Sequence, residues 1–141
     1  MRTLLSAAAM TLAVAQSPTS QFAGTWTATL NGKTYVRLEL AQLNDDVTGR
    51  ISLADIHVNA DGVVDNILSD LSSSGAIFDV RMRDGVLTFA RKDGDQIDRF
   101  EMRVVNVEAE LLFVPSAADR EALAREGVPL PKPIRLTKSP R

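Results

Sequence analysis

The chain has 141 residues, no cysteine, and 16 basic side chains against 18 acidic ones. That length suits one domain. The missing cysteine excludes disulfides, thiolate metal sites, a cysteine nucleophile and the lipidated cysteine of a bacterial lipoprotein, and the balanced, scattered charge argues against a nucleic-acid partner, which selects a basic stripe.

The first stretch is not expected to belong to the domain. Met1-Arg2-Thr3 is a short basic start, Leu4 to Val14 is an apolar run, and Ala13-Val14-Ala15 is a small-x-small site before Gln16. This is the three-part layout of a secretory signal. A buried helix or a membrane anchor is the alternative, but the run is shorter than the roughly 20 apolar residues needed to span a bilayer. We expect residues 1–15 to be a signal peptide, 16–21 a flexible polar leader and 22–138 one exported β domain, periplasmic or secreted.

Phe22 to Leu30 alternates strictly, with Phe22, Gly24, Trp26, Ala28 and Leu30 on one face and three Thr on the other. A period of two predicts a half-buried strand. Asn31-Gly32 is a hairpin signal, because a type I′ turn needs two positive φ angles. The next strand spans Thr34–Leu43, with Val36, Leu38 and Leu40 facing one way and Tyr35, Arg37 and Glu39 the other. After Asn44-Asp45-Asp46 a third strand starts at Val47, with Gly49 marking a bend. Residues 54–75 predict one or two short strands around the turn Asn59–Gly62, after a parity change at Ala54.

Regular alternation returns in Ala76–Arg83, Val86–Lys92, Gln96–Val105 and Glu108–Val114, punctuated by Asp84-Gly85 and Asp93-Gly94-Asp95. The period then changes. Ser116 as N-cap, Asp119 in the first turn and Gly127 as a C′ residue bracket a helix over Ala117–Glu126, with Ala118, Ala122 and Leu123 as its buried stripe. Val128–Pro133 is too proline-rich for a helix or a central strand, and Ile134–Lys138 is the last strand. Consecutive hairpins either close into a barrel or stack as a sandwich. Closure removes edge strands, so the expected fold is all-β: an up-and-down antiparallel β-barrel of about eight strands, with one short helix before the last.

Gly24-Thr25-Trp26 resembles the Gly-x-Trp signature of the lipocalin-like and avidin-like, calycin-type barrels, as found in small exported bacterial domains. The resemblance implies an eight-stranded barrel with an apolar cup. It also implies a basic residue of the last strand packed over the signature Trp. Arg135 has outward parity for that role; Lys138 has inward parity but lies near the strand's end.

Parity supplies an interior inventory. Trp26, Leu38, Phe78, Phe89, Phe100, Met102 and Phe113 are the candidate ligand-contacting residues, within an inward face that carries no charge. An eight-stranded barrel is just wide enough to be filled by side chains or to hold one small ligand. Catalytic candidates are thin. Asp55 and His57 share a strand face and could form a base and its orienter, against the commoner case of a surface histidine. Ser72-Ser73-Ser74 lacks a Gly-x-Ser-x-Gly elbow. Asn59, Asp61, Gly62 and Asp65 lack the first acidic position and terminal Glu of a calcium loop and read as a turn. Arg37, Glu39, Arg81, Arg99, Glu101 and Arg103 on the outer face exclude a membrane-embedded barrel. The expected function is a non-enzymatic binding module for an apolar small molecule or a protein partner. The alternatives are an interaction domain with a filled core and, remotely, a hydrolase-type enzyme using His57. No catalytic residue, metal or cofactor is assigned, and no nucleic-acid partner.

Overall fold

The computed structural model describes residues 19–140. The expected signal peptide, and leader residues 16–18, lie outside the described residues. Eight strands close into an antiparallel barrel: β1 (Gly24–Leu30), β2 (Lys33–Leu43), β3 (Asp46–Leu53), β6 (Ser73–Arg83), β7 (Val86–Asp93), β8 (Gln96–Val105), β9 (Glu108–Phe113) and β10 (Ile134–Lys138), which returns to β1. Strands β4 (Ile56–Val58) and β5 (Val64–Ile67) form a separate two-stranded hairpin between β3 and β6, and helix α1 (Ala117–Glu126) precedes β10.

The turns follow their local chemistry. Asn31 and Gly32, and Asp84 and Gly85, all have positive φ, as a type I′ hairpin demands. Asn106, also at positive φ, makes the β8–β9 turn, which carries no glycine. Ser116 Oγ accepts the Asp119 N–H at 3.1 Å, while Gly127 and Val128 donate to Ala124 O and Leu123 O. α1 thus ends in a Schellman motif.

Strand direction alternates, so the barrel has two distinct ends. The upper end carries the Asn31-Gly32 turn, the β4–β5 hairpin, the Asp93–Asp95 turn and α1; the lower end carries the chain start and the last residues of β10. The interior is filled. Trp26, Phe22, Leu38, Ile51, Leu87, Phe89, Phe100, Met102, Leu111 and Leu136 are each at most 1% exposed. Phe89 stacks on Phe100, and Phe100 meets Phe113 at a tilt, with centroids 5.3 and 5.1 Å apart. Burying a large apolar side chain contributes roughly 1.5–3 kcal/mol, so these buried side chains together stabilise the barrel.

Several sequence expectations are corrected. The first strand starts at Gly24; Ser20–Phe22 is a 3-10 turn whose Phe22 plugs the lower end and accepts the Trp26 Nε1–H at 2.9 Å through its carbonyl. Residues 19–21, expected in a flexible leader, therefore include the start of this plug. Tyr35 is buried, because Ala28 pairs with Val36 and Thr29 with Thr34, which leaves Tyr35 as the extra residue of a bulge. Phe78, expected inside, is 41% exposed, and Ile77 is buried instead. The cause is a second bulge: Asp79 adopts φ 52° and the β6–β7 register shifts between Phe78 and Arg81, so the residues before it have the opposite parity to Val80 and Met82 after it, which pack against the core as expected. The inward face does carry a charge, Arg91, at 3% exposure. Ala118, expected in the buried stripe of α1, is exposed, and no residue of that helix is fully buried.

Candidate functional site at the upper rim

Two loop segments meet at the upper end. The β4–β5 turn is tied by Asn59, whose Oδ1 accepts the N–H groups of Asp61 and Val63. This is Asx-turn chemistry, as the sequence reading of Asn59–Gly62 expected. Gly62 then accepts the Lys132 N–H at 2.8 Å through its carbonyl, which joins the hairpin to the proline-rich segment after α1. A Cβ on Gly62 would lie 2.8 Å from Leu130 O, so glycine permits this approach.

Beneath α1 lies an open groove of about 350 Å³. The start of β8 (Gln96–Arg99) forms one wall, α1 (Ser116, Asp119, Ala122, Leu123) the other, and Phe113–Pro115 with Leu130 and Pro131 complete it. Its lining is mainly apolar, and Ile97 and Leu130 stay 51% and 41% exposed. Phe113 links the groove to the interior aromatic column.

Asp98 borders the groove on one side and the barrel interior on the other. Its Oδ2 accepts Arg91 Nη2 at 2.7 Å. Arg91 Nη1 donates to the Ser73 carbonyl and hydroxyl at 2.9 and 3.0 Å, and Asp93 lies 3.6 Å from Nη2. Arg91 Nε is buried with no partner. The side chain fits because Gly75 sits beside it: a Cβ there would come within 3.0 Å of Arg91 Cγ. Extending the Leu87, Phe89 alternation by two residues, and the Phe100 alternation back by two, reaches Arg91 and Asp98. The alternation of the two strands thus carries the signal for this pair.

Comparisons with protein-family models, with curated proteins and with solved structures return no match. The site is therefore read from its own chemistry.

The structure distributes the candidate residues unequally. Trp26, Leu38, Phe89, Phe100 and Met102 come together in the barrel interior, Phe113 sits half-buried between interior and groove, and Phe78 stands outside. His57 does not meet Asp55 as a base meets its orienter; its Nδ1 lies 2.6 Å from Asp65 Oδ1 across the β4–β5 hairpin, and its side chain is 59% exposed. Asp55 contributes only backbone, accepting from Leu68 N and donating to Ser69 Oγ. Ser73 is engaged by Arg91, and Ser74 accepts from Arg50 at 3.4 Å. Among the described residues no cluster of three or more His, Asp or Glu could hold a metal, and no helix is long and apolar enough to cross a membrane.

Proposed function

We propose that the chain is an exported, non-enzymatic binding module that takes an apolar ligand, or an apolar side chain of a protein partner, in the groove under α1. One observation carries the reading: the barrel interior is occupied by its own side chains, whereas the largely apolar groove is open and keeps Ile97 and Leu130 in solvent. Its volume falls at the small end of the range that ligand sites occupy, about 300–1,000 Å³. The export part of the reading is supported by the basic start, apolar run and Ala13-Val14-Ala15 site of residues 1–15. A lipocalin-like relationship is supported by the eight-stranded closed barrel and by Lys138, whose ammonium lies over the Trp26 ring.

A panel of fatty acids and other apolar ligands, followed by thermal shift, native mass spectrometry and amide chemical shifts, tests the proposal. Binding that perturbs Ile97, Leu123 and Leu130 supports it. Ile97→Asp or Leu130→Asp should weaken such binding by about tenfold or more without lowering the melting temperature. Perturbation centred on Leu38, Leu111 and Leu136 would place the ligand inside the barrel and overturn the groove. Loss of the ligand reading altogether would follow from no shift and no retained ligand.

A further inference from the structure

We propose that the splayed seam between β3 and β6 is a second binding site, which accepts one extended peptide strand bearing alternating apolar residues and a basic end.

The barrel is not equally closed all round. β3 pairs with β2 along its whole length, from Asp46 to Leu53, but with β6 only over Arg50–Leu53 against Ser73–Ala76. Below those four pairs no further rungs form. Asp46, Val47 and Thr48 of β3 and Ile77, Phe78, Val80, Arg81 and Met82 of β6 face one another across a cavity of about 310 Å³, which Thr19 of the chain start also lines. The Asp79 bulge, with its positive φ and register shift, lies in this part of β6. In an antiparallel ladder successive residues direct their N–H and C=O groups to opposite neighbours. Alternate residues of both segments therefore aim backbone donors and acceptors into the gap, along about 13 Å of the β3 edge alone.

Exposed edges of this kind are what strand addition uses: main-chain hydrogen bonds give affinity, and side-chain contacts on alternate residues give specificity. The floor is apolar, made by Val47, Ile77, Met82 and Leu87. The lower lip is acidic. Asp45 and Asp46 line the gap, and neither forms an ion pair among the described residues, whereas Arg81, which also lines it, is paired with Asp79. A lipid could cover the floor but has no groups for the two backbone edges. A second barrel has walls too broad to enter a gap bordered on both sides. A single strand with a Lys or Arg beside Asp45 and Asp46 satisfies the floor, the edges and the charge together. This site is separate from the groove under α1, and neither reading depends on the other.

Hydrogen exchange on the full chain, followed by nuclear magnetic resonance, tests the assignment. The probe is the capped peptide Lys-Val-Thr-Val-Thr-Val-Lys; the control is the same peptide N-methylated at alternate residues. The expected result is slowing of about tenfold at gap-facing amides within 46–49 and 77–83, with no slowing from the methylated peptide. The double variant Asp45→Asn, Asp46→Asn should melt as the parent does and bind about fivefold more weakly. No slowing at millimolar peptide would overturn the proposal. So would equal binding of the methylated peptide, which would show a merely apolar cleft. Slowing at the same amides that grows with protein concentration alone would overturn it in favour of a second copy.

Discussion

Lys138 lays its ammonium 5.4 Å from the centroid of the Trp26 ring, and Gly24 makes the approach possible. Trp26 and Lys138 are directly paired between β1 and β10. A Cβ on Gly24 would lie 2.5 Å from Lys138 Cε, so the stem of the lysine occupies the space a side chain would need. The spacing of Gly24-Thr25-Trp26 thus has a physical cause: the glycine clears a path for the lysine, and the indole two residues on receives its charge. Replacing Trp26 by Ala should cost about 3–5 kcal/mol, as large core truncations do. Lys138→Met, which keeps the stem, should cost only about 0.5–1 kcal/mol. Urea melts of both variants check the difference.

The Arg91–Asp98 pair should behave as a buried charge pair does. Removing one partner strands the other, so Asp98→Ala is expected to destabilise by about 3 kcal/mol, at the low end for broken buried pairs because the Asp98 side chain is still 25% exposed. Replacing both, as Arg91→Met with Asp98→Leu, should recover most of that loss. A double-mutant cycle in a denaturant melt measures the coupling; singles that simply add would show that the pair is not coupled.

Burial pushes the Tyr35 phenol above its ordinary value of 10.0. A raised pKa favours the protonated folded state, so this contribution is complete below the unfolded value and is lost as pH climbs through the folded one. Stability should therefore fall in the alkaline range above about pH 10. Tyr35→Phe should flatten that limb, which chemical melts over the alkaline range will show.

Asp79 shows the opposite sign. Hydrogen bonds from Arg99 and Arg81 hold its carboxyl below the usual carboxylate value. A depressed pKa contributes stability above the unfolded value and loses it as pH falls through the folded one. Asp79→Asn, which tolerates the same positive φ, should remove a small acid-limb dependence below about pH 4 while keeping the bulge. Acid titrations of the two proteins, followed by circular dichroism, compare the limbs.

Much of the barrel could be read from local pattern. Alternation located all eight barrel strands, Asn31-Gly32 and Asp84-Gly85 located two hairpins, and Ser116 with Gly127 bracketed α1. These signals were legible because each is written by consecutive residues: strand period, turn φ and helix caps depend on near neighbours. The chain by itself also settled that no disulfide can staple the fold, since it has no cysteine.

Tertiary structure decided where parity breaks and which residues meet. The bulges at Tyr35 and Asp79 insert one residue against a partner strand, so their effect appears only once strands are paired; that is why Phe78 left the interior and Tyr35 entered the core. Arg91 reads as a surface residue until Gly75 and Ser73 of β6 and Asp98 of β8 close around it from its two neighbouring strands. The open seam below Arg50–Ala76 is likewise a relation between strands more than twenty positions apart. Local alternation determines which face a side chain takes within its own strand, and only the pairing of distant strands determines whether that face is covered.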